Sequence, residues 1–181
     1  MEATIGKILI SQQQIEQRVA ELAGQINRHY SPGELILVAI MNGSLIFLAD
    51  LVRLLNLPVK FDFIGISSYT GTESTGTVST TKNLKIQVSG HRVLLIDDIL
   101  DTGQTLHNVR QMLTQQGVAE VKICVLLDKP ARRRIPIQAD FYGFTIPDEF
   151  VVGYGLDYQE KYRNLPYIAT LKFKPSPPAA G

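Results

Sequence analysis

A short stretch in the middle of the chain combines residue types that could bind a sugar phosphate. The apolar run Val93–Ile96 leads directly into two adjacent acids, Asp97 and Asp98. Neighbouring carboxylates can hold sugar hydroxyls or a metal ion, and they cost stability when no such partner meets them. The turn Asp101–Thr105 follows, immediately before a helical pattern. Because Gly103 permits close backbone approach, the N–H groups and dipole of that helix could receive a phosphate.

The same residues also have a purely structural interpretation. Asp101 could cap the following helix, while Asp97 and Asp98 end a strand in solvent; for the acids alone, both interpretations stay open. The complete run of strand, acid pair, Asp-Thr-Gly-x-Thr turn and helix favours ligand binding. It is neither a Walker A loop, since the Gly-Lys-Ser/Thr sequence does not occur, nor a Gly-x-Gly-x-x-Gly dinucleotide motif.

Helical and strand patterns alternate along the chain, and these elements must position the acid pair and the turn that follows it. Helices are predicted over Ser11–Tyr30, with Ser11 as the N-cap, Leu45–Asn56 and Leu106–Gln116. Strands are predicted over Leu35–Ile40, Val59–Phe63, Val93–Ile96, Val121–Leu127, Phe141–Ile146, Val151–Tyr154 and Tyr167–Phe173. Strands separated by helices predict an α/β fold with a mainly parallel, doubly wound sheet. In such sheets, ligands bind beyond the carboxyl ends of the strands.

One segment, Ser67–Asn83, differs from the rest in composition. It holds four Ser, six Thr and two Gly among its seventeen residues, with Tyr69 as its one aromatic. That composition is too polar to pack a core, and the segment is too long for an ordinary connection. We expect a mobile loop or an extended hairpin, and an exposed hairpin without a role remains the alternative.

Composition excludes several broad classes of protein. Eighteen basic and seventeen acidic residues give a net charge of +1, which argues against a main role in coating nucleic acid or an anionic membrane. The longest apolar runs are too short to span a bilayer, and the first ten residues lack a signal-peptide pattern. One cysteine, Cys124, allows neither an internal disulfide nor a cysteine-based zinc cluster. We therefore expect a cytoplasmic protein with a single core.

The sequence resembles a known family. The run Val93–Thr105 resembles the phosphoribosyl pyrophosphate (PRPP) motif of type I phosphoribosyltransferases. Further segments resemble the bacterial hypoxanthine-guanine group of that family: Met41–Gly43, Ser68-Tyr69, Leu127–Lys129, Ile146–Tyr158 and Tyr162–Pro166. The resemblance extends from about Ile10 to Phe173. It implies the type I phosphoribosyltransferase fold, a doubly wound sheet with helices on both faces and a small hood. It also implies purine salvage, in which PRPP and a 6-oxopurine give a nucleoside monophosphate and pyrophosphate.

The resemblance assigns the PRPP contacts to the central motif. Asp97 and Asp98 are expected to hold the ribose hydroxyls, directly or through Mg²⁺. Asp101 is expected to be the general base near purine N7. The expected 5′-phosphate loop consists of Asp101, Thr102, Gly103, Gln104 and Thr105. Two residues depart from relatives: Asp97 stands where many have a Glu, and Gln104 stands where some have a Lys. Phosphate binding should therefore depend more on backbone N–H groups.

The leaving-group contacts are also implied by the resemblance. Asn42 and Gly43 match the loop whose N–H faces pyrophosphate, and the bond between Met41 and Asn42 is expected to be cis, as it often is in the family. Ser68 and Tyr69 match a flexible loop that closes over the site and excludes water. Arg163 is expected to contact pyrophosphate.

By the same resemblance, Lys129, Phe150 and Val151 would bind the purine. The Lys129 ammonium would donate to the 6-oxo group, which favours this base over adenine because an ammonium has only donors. Phe150 would stack on the ring, and Val151 would offer backbone groups to its edge. Asp157 is grouped with the purine-binding residues and is also implied as the second Mg²⁺ ligand, on the pyrophosphate side. Without the resemblance, Lys129 would be interpreted as a solvated loop residue and Phe150 as core.

The expected organisation is a single phosphoribosyltransferase domain over residues 1–173. A hood would come from about 1–15 and 146–173, a mobile lid from about 67–83, and a frayed tail from 174–181. The basic cluster Ala131–Arg134 is interpreted as a solvated face or a subunit contact. Expected partners are PRPP, a 6-oxopurine and further copies in a homodimer or homotetramer, without nucleic acid or membrane. Two alternatives remain: another type I enzyme using xanthine, adenine or a pyrimidine, and a PRPP-sensing regulator that binds nucleic acid.

Overall fold

The computed structural model describes residues 3–67 and 79–173, which form alternating strands and helices. The strands are β1 (Ala3–Ile10), β2 (Leu35–Met41), β3 (Val59–Ser67), β4 (Ser79–Lys82), β5 (Arg92–Leu100), β6 (Glu120–Asp128), β7 (Phe141–Thr145), β8 (Val151–Val152) and β9 (Ile168–Phe173). The helices are α1 (Gln12–Tyr30), α2 (Leu45–Val52) and α3 (Gln104–Gln115), with one 3₁₀ turn at Pro130–Arg132. No helix in the described ranges is long and apolar enough to cross a membrane.

Helix α1 begins where the sequence predicts it. Ser11 and Gln14 form a reciprocal capping box, in which each side chain accepts a hydrogen bond from the other's backbone N–H. One face of the helix, including Ile15, Val19 and Leu22, is buried against the sheet. The cap fixes the start of the helix, and the apolar spacing fixes which face packs inward.

The main sheet has six strands in the order β4-β3-β2-β5-β6-β7, and every neighbouring pair except β3/β4 is parallel. Side chains of the central strands alternate between two cores. Leu35 and Leu37 face the core that contains α1 and α2, whereas Ile36 and Val38 face the core that contains α3. Helices therefore cover both faces, which confirms the doubly wound α/β fold.

A second, three-stranded antiparallel sheet has the order β1-β9-β8. It joins the N-terminal strand to the two C-terminal strands, the segments from which a hood was expected. Val151 pairs with Thr170 in this sheet. Strand β8 is therefore tied to β9, the chain's last described strand.

The structure moves the predicted boundaries around the acid pair. Strand β5 does not end at Ile96 but continues to Leu100, because its pairing with β6 persists to Leu100 and Asp128. Its pairing with β2 stops at Ile96. The acids therefore lie within a strand that has lost one neighbour, and a crevice opens beside them. At the other boundaries, α2 ends at Val52 rather than Asn56, and α3 begins at Gln104.

The polar segment 67–83 has its two ends paired as antiparallel strands, with Ser67 opposite Ser79. Residues 68–78, which make up most of the expected lid, lie outside the described ranges. The expected tail residues 174–181 lie outside them as well.

The buried Asp62 fastens the chain just beyond β4. Its carboxylate accepts hydrogen bonds from the backbone N–H groups of Phe63, Lys85 and Ile86 and from the Lys82 ammonium. Burial raises the pKa of Asp62, but these donors outweigh burial and lower it to about 2.

Candidate active site

A crevice of about 700 Å³ opens at the carboxyl ends of β2 and β5. The chain leaves β2 toward one side of the sheet and β5 toward the other, so this is the point at which the strand order reverses and ligands bind in such sheets. Residues 97–106 line one wall, and residues 40–43 line another. Asp157 and Arg163 also line it, with Ile66 and Glu160, so the crevice gathers most of the expected PRPP and pyrophosphate contacts.

The acid pair is placed at the inner end of this crevice. Asp97 is 8% exposed, and its carboxylate accepts the backbone N–H of Asp98 at 3.0 Å. Burial and then the charge of Asp98 raise the pKa of Asp97 well above its ordinary value, and burial also raises the pKa of Asp98. Within the described ranges neither carboxylate forms an ion pair. A buried and a half-buried acid, neither of them in an ion pair with a described residue, suit a ligand that supplies positive charge or hydroxyl donors.

The turn after the acid pair opens helix α3 at a glycine, and the Thr102 hydroxyl accepts the Gln104 N–H at a long 3.4 Å. Gly103 is the N-cap, with φ of +87°, and it makes no side-chain cap. A Cβ on Gly103 would lie 2.7 Å from a methyl group of Ile137, so both its conformation and its packing require glycine. The Gln104 amide donates to Asn108 at 3.0 Å, along the helix. The N-terminus of α3 therefore offers backbone N–H groups as an anion site.

Asp101 does not cap helix α3, which was the alternative to a role in ligand binding. Its Oδ1 atom is buried and has no hydrogen-bond partner among the described residues. Its other oxygen lies 3.7 Å from the Arg132 guanidinium. A buried, unpartnered carboxylate oxygen in the crevice wall is suited to receiving a proton or hydrogen bond from a ligand.

On the opposite wall, the bond between Met41 and Asn42 is cis, which confirms the expectation. Gly43 lies against the acid pair, since a Cβ there would be 1.8 Å from Asp98 Oδ2. Gly155, with φ of +100°, packs on the same loop, and its own Cβ would lie 2.1 Å from the Gly43 carbonyl oxygen. Only residues without side chains fit this contact, which joins the Asn42-Gly43 loop to the turn that carries Asp157.

Asp157 and Arg163 are placed as a pair. The Arg163 guanidinium lies 2.8 Å from the Asp157 carboxylate and 2.9 Å from Glu160, and it donates to the Gly155 carbonyl at 2.8 Å. Asp157 also accepts the Glu160 backbone N–H. Both side chains are therefore held at the crevice rim before any ligand arrives.

Of the expected purine contacts, Asp157 lines this crevice, whereas Lys129, Phe150 and Val151 are not among its lining residues. Lys129 is only 4% exposed, so it is not a solvated loop residue. Its ammonium donates to the Glu149 carbonyl at 2.8 Å and pairs with the Asp148 carboxylate at 3.0 Å. Its backbone N–H donates to the Leu100 carbonyl, directly beside the turn that carries Asp101. The lysine is therefore fixed next to the crevice, with one ammonium proton beyond those two contacts.

Phe150 is 45% exposed and so is not a core residue. Its ring meets those of Tyr158 and Phe173 edge to face, with centroids 5.7 and 5.8 Å away. An exposed aromatic face supported by two further rings suits stacking on a planar ligand. Ser68 and Tyr69 lie outside the described ranges.

Sequence reasoning missed three charged residues around the site: Asp148, Arg132 and Arg133. Interpreting Arg133 as part of a solvated face is wrong, because its side chain is 16% exposed and bonds the backbone under the Asp101 turn. No local pattern distinguishes it from the arginines on either side. The fold alone brings this segment against the end of β5.

Comparisons with known proteins agree with this geometry. Residues 7–159 match the family model described as a phosphoribosyl transferase domain. A hypoxanthine-guanine phosphoribosyltransferase from Streptococcus pneumoniae is 46% identical over 173 residues, which cover 95% of this chain and 96% of that protein. A hypoxanthine phosphoribosyltransferase from Haemophilus influenzae is 46% identical over 165 residues, covering 89% and 92%.

Solved structures give the same result. A crystal structure of a hypoxanthine-guanine phosphoribosyltransferase from Bacillus anthracis superposes with a TM-score of 0.90 at 42% identity, covering 95% of this chain and all of that one (100%). A Staphylococcus aureus hypoxanthine phosphoribosyltransferase superposes with a TM-score of 0.89 at 44% identity, covering 93% of this chain and 92% of that one. The chain therefore belongs to the phosphoribosyltransferase family, in the group of the hypoxanthine-guanine phosphoribosyltransferases.

Proposed function

We propose that this protein transfers the phosphoribosyl group of PRPP to N9 of hypoxanthine and of guanine, giving IMP or GMP and pyrophosphate. The observation that carries the proposal is the crevice itself: it contains a carboxylate pair and a helix N-terminus whose N-cap is a glycine. A ribose 5-phosphate has hydroxyls at one end and an anion at the other. The names of the relatives point to the same substrates.

In this proposal, Asp97 and Asp98 accept hydrogen bonds from the ribose hydroxyls, and the backbone at 101–105 receives the 5′-phosphate, with help from the Thr102 and Thr105 hydroxyls. Breaking the C1–O bond develops positive charge on the ribose, which the acid pair would stabilise electrostatically. Asp101 takes the N7 proton of the purine, because its buried oxygen has no competing partner among the described residues.

The pyrophosphate leaving group would lie between the Asn42-Gly43 loop and Arg163, with Ser68 and Tyr69 closing over it. No group of three or more His, Cys, Asp or Glu in the described ranges is arranged to hold a metal. The acid pair nevertheless fits Mg²⁺, which needs few protein oxygens when phosphate oxygens and water complete its shell. Asp97 and Asp98 would hold it on the ribose side, and Asp157 would be a further Mg²⁺ ligand on the pyrophosphate side. Mg²⁺ bound there would neutralise charge on the departing pyrophosphate.

The purine would lie between the Asp101 turn and the Phe150 ring. The remaining Lys129 proton would go to the 6-oxo group, and Val151 would offer its backbone to the base edge. The sheet β1-β9-β8 would act as the hood over this pocket. Phe150, Tyr158 and Phe173, whose rings contact one another, would face the base from that side.

A base panel tests the proposed function. Purified protein, PRPP and Mg²⁺ are mixed with hypoxanthine, guanine, xanthine, adenine or uracil, and nucleotide and pyrophosphate are measured together. We expect IMP and GMP with equal amounts of pyrophosphate and much slower reaction of adenine and uracil. If hypoxanthine yielded no IMP while xanthine or a pyrimidine reacted, the base assignment would be wrong; if no base reacted, the enzyme assignment would be wrong.

We further propose that the protein works in the cytoplasm as a homodimer or homotetramer, without nucleic acid. Exposed apolar side chains on α2 and β3, among them Leu45, Ile46 and Phe61, suit contact with a second copy. The net charge of +1 gives little attraction for nucleic acid. Light scattering after size-exclusion chromatography measures the assembly, and a monomer at micromolar concentration would contradict it.

A further inference from the structure

Arg133 lies beneath the turn that carries Asp101, and its guanidinium makes four hydrogen bonds. It donates to the Asp101 carbonyl at 2.9 Å and to the Leu100 carbonyl at 3.2 Å. It also donates to the Ile137 carbonyl and to the Asp128 carboxylate at the end of β6. Four of its five N–H donors are therefore occupied by protein, so this arginine is not free to bind a ligand.

The backbone beside Arg133 holds the same turn. The N–H groups of Arg134 and Ile135 both donate to the Thr102 carbonyl, at 2.9 and 3.1 Å. The carbonyls of Asp101 and Thr102 are thus drawn toward one segment, 133–135, on the side away from the crevice. Gly103 packs on that segment as well, since a Cβ there would lie 3.2 Å from Arg133 Cδ.

The direction of these carbonyls decides the direction of the N–H groups. In a trans peptide, the C=O and the following N–H point in opposite directions, and the peptide bonds of this turn are trans. With the Asp101 and Thr102 carbonyls turned to segment 133–135, the N–H groups of Thr102 and Gly103 point away from it. Those are the first donors that an anion at the α3 N-terminus would meet.

We infer that Arg133 is a positioning residue for phosphate binding. It acts through the peptide planes of the Asp101 turn and touches no substrate itself. The planar fork of arginine is needed, because acceptors on three separate segments must be reached from one side chain; a lysine ammonium is a point charge with three donors. The inference rests on the proposed function, since the ligand it concerns is the 5′-phosphate of the nucleotide.

The test compares the binding of IMP with that of inosine, which lacks only the 5′-phosphate. The ratio of the two affinities reports the phosphate cradle and not the general integrity of the protein. The variants are Arg133→Gln and Arg133→Lys. The matched control is Arg134→Gln, which removes the same charge one residue along; the Arg134 side chain is exposed, and its turn contact is through backbone.

In Arg133→Gln we expect the preference for IMP over inosine to fall at least tenfold, with inosine affinity within threefold of wild type. Arg133→Lys should recover part of the preference, and Arg134→Gln should stay within twofold. If Arg133→Gln does not fold, Arg133→Lys is assessed by the same ratio. An unchanged ratio, or an equal loss of affinity for both ligands, would overturn the role of Arg133 but not the proposed function. A wild-type protein without preference for IMP overturns the proposed function together with it.

Discussion

The substitution Gly43→Ala puts the packing of the crevice to a direct test. Its new Cβ would lie 1.8 Å from Asp98 Oδ2 and 2.6 Å from Asp98 Cγ. Ordinary contacts of this kind begin at about 3.5 Å, so the Asn42-Gly43 loop and Asp98 must separate by more than about 1 Å. Gly43 does not have a positive φ, so the alanine backbone itself is unstrained. A displacement of about 1 Å in a reacting geometry can cost about 100-fold in rate.

We therefore expect kcat/KM for PRPP in Gly43→Ala to fall about 100-fold, with the thermal midpoint changed by only a few degrees. Steady-state kinetics with varied PRPP and saturating hypoxanthine give the value. Gly24→Ala is the matched control: its Cβ would lie 3.5 Å from the flexible Arg28 side chain, in the interior of α1. It should leave kinetics within twofold and stabilise the fold by about 1 kcal/mol. A Gly43→Ala enzyme with wild-type kcat/KM would refute the reasoning.

Three further substitutions have definite expected results. Asp101→Asn should bind IMP within about threefold of wild type while kcat falls about 10²–10⁴-fold, because only the proton acceptor is lost; unchanged turnover would remove Asp101 from the chemistry. Lys129→Met should lower kcat/KM for hypoxanthine about 100-fold and reduce its advantage over adenine, as the base panel measures; equal losses for every base would contradict the donor role. Asp62→Asn should destabilise by about 2 kcal/mol near pH 6, because the wild-type pKa of about 2 lies below the unfolded value. That contribution is present above about pH 4 and is lost as the pH falls through about 2, so denaturation curves of the two proteins should converge in acid; a constant difference would contradict it.

The sequence predicts the elements whose signals are local. The capping box at Ser11 and the apolar spacing behind it locate α1 within one residue. The continuous apolar runs of β2 and β6 predict buried parallel strands, because such strands contact helices on both faces. The end of β5 is different: whether Asp97 lies in a strand or in a loop depends on how far β6 extends beside it, which no property of residues 97–100 reveals.

The parts of the site that the sequence does not predict are long-range. Arg132, Arg133 and Arg134 are identical in type, yet the 3₁₀ turn at Pro130–Arg132 directs only the middle one beneath the crevice. The burial of Lys129 likewise depends on residues about twenty positions further along the chain. The Asp148 carboxylate neutralises its ammonium, and the Glu149 carbonyl accepts a hydrogen bond from it. Pairings of this kind follow from the meeting of strand ends at one sheet edge.

We propose that a single crevice binds ribose 5-phosphate at both ends. A crystal structure of the protein with IMP measures this most directly. We predict the phosphate within hydrogen-bond distance of the backbone N–H groups at 102–105 and the ribose hydroxyls facing Asp97 and Asp98. A nucleotide bound with its phosphate away from the α3 N-terminus, or with its ribose remote from the acid pair, would contradict the account.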